Sequence, residues 1–263
     1  MSDNAEFYDR FASAYDRYYG HIDARALVNM WQEILARQEV PMLPSDNERS
    51  SIRMLDLGCG TGSNLAEWLR LGYRVDGLDA SLKMLRLAAA KTSSLGHVSR
   101  LPRLYCADVR NPDQIWKLSG TYQLIVAHLN FLYLFGAIEL EHVFASISRM
   151  LETGGRFVTD LSDFDEAEPP CTSKRGIDAE PTECESESRA VQKSWALGAT
   201  LMTETYWIHD ACRIINAARK QGLGLEGMIS LRQEPEAVIS VSKAISKLLI
   251  FMKFADPIEV KQN

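Results

Sequence analysis

The sequence lacks the features that mark membrane proteins, secreted proteins and proteins with a structural zinc site. It has no run of about 18 or more apolar residues, the length at which a membrane-spanning helix is suspected. Its first residues, MSDNAEFYDR, show no basic region followed by an apolar stretch, so they predict no secretory signal. The five cysteines are widely spaced and form no CxxC pair. This spacing predicts reduced thiols, no structural zinc site and a cytoplasmic location.

Positive charge is also scarce. The chain has 29 Lys and Arg against 35 Asp and Glu, a net charge of −6 at pH 7. Nucleic-acid-binding surfaces are usually basic, so no nucleic acid partner and no membrane partner are expected. A length of 263 residues with 46% hydrophobic residues suits a globular protein with one large core. The oligomeric state stays open, and a homodimer is compatible with the sequence.

From about residue 51, short apolar runs alternate with helical patterns. Strands are predicted at 53–57, 73–79, 103–108, 122–129 and 155–161, with helices between them and Gly154-Gly155 as a helix stop. This alternation predicts an α/β fold with a doubly wound, mostly parallel, Rossmann-like sheet.

Different patterns flank this core. Residues 1–50 contain two amphipathic helical patterns and are predicted to form a helical lid, followed by the core at 51–162. Residues 163–189 are rich in acids and prolines, which predicts a mobile surface insertion, with an acidic docking segment as the alternative. The insertion and one or two added strands fill 163–206. A helix and the last two strands, LEGMISL and KLLIFMKFA, fill 207–263.

The stretch MLDLGCGTGSNLAEWLR, residues 54–70, places Gly58, Gly60 and Gly62 at the end of the first predicted strand. In a doubly wound sheet a ligand lies at the strand tips, beside a helix N-terminus. A Cβ at these positions would block the ligand or forbid the turn. The G-x-G-x-G spacing differs from the dinucleotide pattern G-x-G-x-x-G, and no G-K-[ST] is present to form a phosphate-binding P-loop.

Three acidic residues accompany the glycines. Asp56 lies two residues before Gly58, where a carboxylate suits a cationic ligand better than a pyrophosphate. S-adenosyl-L-methionine (SAM) carries a sulfonium and an ammonium, so its charge fits. Asp79 ends the second strand, where it can accept from ribose hydroxyls; Asp108 ends the third, where it can accept from an adenine amino group. Asp79 and Asp108, each taken alone, could also be a helix N-cap. For the function of the chain, an NAD-dependent dehydrogenase is the alternative that the glycine spacing and Asp56 disfavour.

The motifs LDLGCGTG, VDGLDAS, CADVRN and YQLIVAHLNFLYLF, and the opening FYDRFASAYDRYYG, together resemble the class I SAM-dependent methyltransferases. The resemblance is specific over residues 51–162 and favours the small-molecule branch that includes glycine/sarcosine and amino-sugar N-methyltransferases. It implies a seven-stranded sheet whose last strand is antiparallel.

The resemblance also implies SAM as cofactor and a role for each matching residue. The glycine loop would pass the methionine and ribose part, and Asp56 would lie near the amino group. Asp79 would hold the ribose, and Tyr15 would close over the cofactor. The full set of implied cofactor residues is Tyr15, Asp56, Gly58, Cys59, Gly60, Gly62, Asp79, Ala80, Met84, Asp108, Val109, Ala127 and Leu129.

Methyl transfer is an in-line displacement, so the protein must supply alignment, desolvation and an unprotonated nucleophile. His128, at the tip of the fourth strand, is the candidate base; the alternative is that it only hydrogen-bonds the cofactor or substrate. This tip has no carboxylate, so no metal is expected. Tyr19 is a second catalytic candidate, and the candidate substrate residues are Tyr8, Tyr18, Asn130 and Tyr133.

The sequence therefore predicts a SAM-dependent methyltransferase that acts on a nitrogen, or an oxygen, of a small-molecule acceptor. A non-catalytic SAM-binding subunit, docked to a partner through the acidic insertion, is the alternative. Tyr206, Trp207 and His209 follow the insertion and either form part of the pocket wall or pack in the core.

Overall fold

The computed structural model describes residues 3–20, 22–37, 49–96, 100–162, 188–197, 200–231 and 247–254. The α-helices in these ranges are α1 Asp3–Tyr19, α2 Ala24–Ala36, α3 Ser63–Arg70, α4 Leu82–Ser93, α5 Ala137–Met150 and α6 Ala211–Arg219. The strands are β1 Arg53–Leu57, β2 Arg74–Asp79, β3 Leu104–Cys106, β4 Tyr122–Ala127, β5 Leu151–Leu161, β6 Arg189–Leu197, β7 Thr200–Ile208, β8 Leu223–Ser230 and β9 Lys247–Lys253. Two short 3-10 helices lie at Trp116–Leu118 and Phe131–Leu134.

Seven strands form one sheet in the order β3-β2-β1-β4-β5-β9-β8. The first five strands pair in parallel, and β9 is antiparallel to both of its neighbours. This confirms the predicted fold class. Strands β2 and β3 lie on one side of β1, and β4 and β5 lie on the other side, so the strand order reverses at β1. A crevice at this switch point, outside the carboxyl ends of the strands, is the usual ligand position in such sheets.

Each face of the sheet carries its own apolar core. One core combines α5 and α6 with residues of β4, β5 and β9. The other combines α2, α3 and part of α4 with the opposite face of the same strands. In α2 the predicted apolar face is buried as expected, with Leu27, Trp31 and Leu35 fully shielded from solvent. Helix α2 is thus packed directly on the sheet layer.

The prediction that Gly154-Gly155 stops a helix was wrong. Helix α5 ends at Met150, and Leu151 already has extended backbone and begins β5. Gly154 has φ +80°, and the pairing of β4 with β5 shifts register in this region. A Cβ on Gly155 would lie 3.0 Å from the backbone oxygen of Tyr122. The two glycines therefore allow an irregularity at the start of β5. The backbone conformation of Gly154 is strained for other residues, and a side chain at Gly155 would be crowded.

The segment predicted to give one or two strands forms β6 and β7, an antiparallel pair separate from the main sheet. Helix α1 packs against β7. Residues 163–187 of the predicted insertion lie outside the described residues, and the division of the chain into domains stays a prediction.

The expectation that every cysteine is reduced was wrong. Cys59 and Cys106 are free thiols, whereas Cys212 is disulfide-bonded. Among the described residues, every helix is too short or too polar to cross a membrane.

A comparison of two glycines tests the packing of α3 on α4. Gly62 has φ +79°, and an added Cβ would lie 2.8 Å from the Ala88 Cβ; Gly72 has φ +89° and open space around it. We expect Gly72→Ala to lower the free energy of unfolding by about 1 kcal/mol through its backbone conformation alone. Gly62→Ala should cost about 1–3 kcal/mol more, because α4 must shift. Urea unfolding measures both, and equal losses would contradict the packing described here.

Candidate functional site

A cavity of about 420 Å³ opens at the carboxyl ends of β1, β2 and β4. The loop that follows β1 forms one side, and the residues after β2 and β3 form another. Helix α1 and Tyr206 of β7 contribute to its wall. The cavity thus occupies the predicted ligand position, partly enclosed by the helical leader.

The glycine loop is tied to the end of β2. The N–H groups of Gly58 and Cys59 both donate to the Leu78 oxygen, at 2.8 and 3.1 Å. Gly58, Gly60 and Gly62 all have positive φ, so the predicted need for glycine in the turn is confirmed.

The three glycines differ in what a side chain would meet. A Cβ on Gly58 would strike the Phe131 ring at 2.4 Å, and one on Gly62 would strike Ala88. A Cβ on Gly60 would meet no atom within 4 Å. Open space for a ligand therefore lies at Gly60, while the other two glycines permit close packing.

Two carboxyl groups face this space. Asp56 is 2% exposed, and its Oδ2 has no hydrogen-bond partner among the described residues. Burial, and then repulsion from Asp79, raises the pKa of Asp56 to about 8. The Asp79 carboxylate accepts from the N–H groups of Gly60 at 2.9 Å and Ser81 at 2.8 Å. Burial nevertheless raises the pKa of Asp79 to about 6. A cation in the cavity would stabilise the ionised form of both carboxyl groups.

The third strand-tip acid is already paired. The guanidinium of Arg110 contacts both carboxylate oxygens of Asp108, at 3.0 and 2.7 Å, and also pairs with Glu139. Asp108 and Arg110 both line the cavity. Asp108 can still accept from a ligand with its remaining lone pairs, but its charge is compensated by Arg110.

Two aspartates of α1 fasten this helix over the cavity. Asp16 accepts from the Thr61 hydroxyl of the glycine loop and pairs with Lys91 of α4 at 3.0 Å. Asp9 accepts from Ser81 and from the N–H of Lys83 at the start of α4. The hydrogen bond from Ser81 contributes most to lowering the pKa of Asp9.

Most of the sequence-predicted site residues meet at this cavity. Those that line it are Tyr8, Tyr15, Tyr19, Asp56, Gly58, Cys59, Gly60, Asp79, Ala80, Met84, Asp108, Val109, His128 and Leu129. Those outside its lining are Tyr18, Gly62, Ala127, Asn130 and Tyr133. Tyr133 donates its hydroxyl to the Ser162 oxygen at 2.9 Å, and Ala127 is buried in the core.

His128 lines the cavity but is not arranged as a base. The indole N–H of Trp68 donates to its Nε2 at 3.1 Å, and the Trp31 ring lies 4.0 Å from the imidazole ring. Burial lowers the pKa of His128 to about 3. A neutral imidazole that accepts at Nε2 carries its proton on Nδ1, so its free nitrogen is a donor. This geometry favours the alternative of a hydrogen bond from His128 to a bound molecule.

Asp160 of β5 holds the turn that follows His128. Its carboxylate accepts from the N–H groups of Leu129, at 2.8 Å, and Asn130. These two residues have φ +61° and +60°, which is rare for residues other than glycine. Burial raises the pKa of Asp160 to about 7 despite these bonds.

Sequence reasoning missed several residues of the site. Asp160 could have been suspected as an acid near the end of the predicted strand GRFVTDL, at residues 155–161. Arg110 follows Asp108 by two positions, a spacing that allows the pair. Of the three candidates for the pocket wall, Tyr206, Trp207 and His209, only Tyr206 is in the described cavity lining, and His209 hydrogen-bonds the Phe135 oxygen at 2.8 Å.

Residues 54–155 match a family model described as a methyltransferase domain. YqeM of Bacillus subtilis (strain 168), a protein provisionally named as a methyltransferase, is 30% identical over 155 residues, 59% of this chain and 55% of that protein. The chain spans about half or less of the length of the curated relatives that it matches.

The solved structures share the fold. The CcbJ methyltransferase from Streptomyces caelestis superposes with a TM-score of 0.62 at 18% identity, covering 97% of this chain and 100% of that chain. SAM-bound CalS10, an amino pentose methyltransferase from Micromonospora echinaspora, superposes with a TM-score of 0.56 at 17% identity, covering 91% and 96%. The domain match and the shared fold confirm the resemblance identified from the motifs.

The buried carboxyl of Asp56 predicts a pH dependence of stability. Its folded-state pKa of about 8 exceeds the unfolded value, so the folded chain retains a proton that the unfolded chain releases. Stability from this group is complete below about pH 4 and falls as the pH rises toward 8. His128 acts in the opposite direction, but only below about pH 6.5.

The difference between the wild type and Asp56→Asn in urea unfolding, measured between about pH 6.5 and 8, isolates the Asp56 contribution. Asp160, whose pKa of about 7 lies in the same range, is present in both proteins. We expect the wild-type chain to lose up to about 1.4 kcal/mol per pH unit more than Asp56→Asn. The exposed residue Asp113 provides the control, since Asp113→Asn should keep the wild-type slope. Parallel curves for all three proteins would show that Asp56 ionises normally.

The tautomer of His128 gives a separate prediction. We expect its Nε2 to remain an unprotonated acceptor and its Nδ1 to keep a proton between about pH 5 and 8. A free histidine side chain changes its protonation state within this range. Nitrogen-15 NMR of histidine-labelled protein reads both nitrogens, and His128→Gln identifies the signals. A titration near neutral pH would restore His128 as a base.

Proposed function

We propose that this chain, whose residues 54–155 match a methyltransferase domain model, transfers a methyl group from SAM to a nitrogen, or an oxygen, of a small-molecule acceptor. The observation that carries the proposal is the buried Oδ2 of Asp56 in the wall of the cavity, which has no hydrogen-bond partner in the part of the chain that the structure describes. A buried carboxyl without a partner is unfavourable, and a cationic ligand gives it one.

The residues at the cavity fit SAM in three respects. Asp56 offers a carboxyl oxygen to a cationic group, and the open space at Gly60 lets a ligand approach the backbone. Asp79 is held by two backbone N–H groups, so its remaining lone pairs are fixed in position to accept from ribose hydroxyls. Within the described lining, four aspartates accompany a single arginine, which disfavours a pyrophosphate ligand.

SAM supplies a methyl group bonded to a sulfonium, a carbon already activated toward displacement. The protein's own contribution is alignment and desolvation. Asp9 and Asp16 hold α1 against the glycine loop and α4, so that Tyr15 and Tyr19 stay at the cavity wall. Asp160 fixes the backbone of Leu129 beside the same space.

A small acceptor suits the partial enclosure of the cavity by α1 and β7. Nitrogen is favoured over oxygen because the segment YQLIVAHLNFLYLF resembles the N-methyltransferase branch. The shared fold with CalS10, an amino pentose methyltransferase, agrees with this preference.

Thermal unfolding with S-adenosylhomocysteine tests the cofactor. At a concentration of about 100 times Kd, a ligand that binds only the folded state stabilises it by about 2.7 kcal/mol, a shift of about 5–10 °C for a chain of this size. We expect this shift for the wild type and for Asp113→Ala, and its loss in Asp79→Ala. NAD should produce no shift.

The absence of a shift in a folded wild-type chain would contradict the proposed function. A shift followed by transfer of labelled methyl from SAM to amine acceptors, more than to phenols, would establish both the activity and the preference for nitrogen.

A further inference from the structure

A carboxyl group is buried behind the tyrosines of the cavity. Met202, Glu204 and Tyr206 alternate along β7 and share the side that faces α1, with exposures of 5%, 3% and 9%. Met202 packs with Phe7 and Phe11, so this is an apolar face. An acid at such a position is unfavourable for folding alone, and this suggests a functional reason.

Glu204 is connected to the cavity through hydroxyl groups. Tyr8 and Tyr206 both hydrogen-bond to its carboxyl, and Tyr19 hydrogen-bonds to Tyr206. All three tyrosines line the cavity. The Oε1 atom of Glu204 is buried and has no hydrogen-bond partner among the described residues.

The direction of these hydrogen bonds follows from the chemistry of the groups. A carboxylate only accepts, so Tyr8 and Tyr206 donate to Glu204. Tyr206 has a single O–H, so it accepts from Tyr19. Each O–H therefore points from the cavity toward Glu204, and the hydroxyl oxygens retain lone pairs that can accept from an N–H group in the cavity.

We propose that Glu204, connected to the cavity by Tyr19 and Tyr206, takes up the proton that a small protonated amine must lose before it accepts a methyl group. This rests on the proposed methyl transfer and defines the acceptor as an amine that is cationic at neutral pH. Glu204 is a positioning residue in this scheme, since the tyrosines are the groups that touch the acceptor.

The proton transfer balances without a further reactant. The ammonium gives a proton to the Tyr19 oxygen, the Tyr19 proton passes to Tyr206, and the Tyr206 proton passes to Glu204, which becomes a neutral acid. The amine lone pair then forms the N–C bond while the C–S bond breaks, and its electron pair stays on sulfur. The product nitrogen carries the positive charge that sulfur loses.

The surroundings of Glu204 suit this role. Burial raises its pKa, while the hydrogen bonds from Tyr206 and Tyr8 and the charge of Lys193 on β6 act in the opposite direction. Burial also raises the pKa of the tyrosines around it, so they stay protonated and able to donate near neutral pH. Among the described residues, the ionisable groups that interact with Glu204 are Tyr8, Tyr15, Tyr19, Lys193 and Tyr206.

The test follows the titration of Glu204 by NMR in the full chain, labelled with carbon-13 at the glutamate carboxyl groups. The Glu204 signal is the one that disappears in Glu204→Gln and persists in Glu6→Gln, the same change on the exposed side of α1. If Glu204→Gln does not fold, Tyr206→Phe identifies the signal, because it leaves the carboxyl in place and alters its surroundings.

The titration is measured with S-adenosylhomocysteine bound, in the presence of benzylamine or benzyl alcohol, which have similar size and differ in charge. We expect benzylamine to lower the titration midpoint of Glu204 by about 0.5 pH unit or more, as one positive charge separated by two hydroxyl groups should do. Benzyl alcohol should leave the midpoint unchanged.

Equal midpoints with both probes, while S-adenosylhomocysteine is bound, would overturn the role of Glu204 and leave the proposed methyl transfer intact. Failure of S-adenosylhomocysteine itself to bind would contradict the proposed function, and the proton path with it. A purely structural role for Glu204 predicts no difference between the amine and the alcohol.

Discussion

Two hydrogen bonds to one carbonyl oxygen, that of Leu78, hold the end of β1 against the end of β2. The N–H groups of Gly58 and Cys59 donate both bonds, and the positive φ values of the loop let the chain turn back after them. This contact sets Gly60 against the Asp79 carboxylate. It also brings Asp56 and Asp79 to one cavity, where the charge of Asp79 adds to the rise in the pKa of Asp56. The electrostatic character of the site depends on this backbone contact.

Much of the fold was predictable because its signals are local. The structure gives β1 the predicted bounds, and the other core strands begin or end within a few residues of their predicted positions, apart from the early start of β5. Parallel strands have their carboxyl ends at one edge, so Asp56, Asp79 and Asp108 could be expected to meet there before any contact was known. The seven-stranded sheet and its antiparallel β9 followed from resemblance to a family, not from the pattern alone.

The side-chain chemistry of the site was less predictable, because it depends on residues far apart in the sequence. The position of His128 at a strand tip makes it a candidate base, but the residue that donates to its Nε2, Trp68, lies 60 positions away in the sequence. In the sequence, Tyr8 precedes the α/β core and Glu204 follows it, so no local pattern links the two residues that the fold brings into contact. Sequence periodicity shows which face a residue occupies, whereas its protonation and hydrogen bonds depend on what other elements bring to that face.

The fastening of α1 has a consequence for variation in chain length. Asp9 and Asp16 are seven positions apart, nearly two helical turns, so both carboxylates reach residues of α4. Inserting or deleting one residue between them would rotate one aspartate by about 100° relative to the other and shift it by about 1.5 Å along the axis. The exposed positions between them can change identity freely, but their number is constrained. A change in the length of this segment is therefore less tolerated than a substitution at one of its exposed positions.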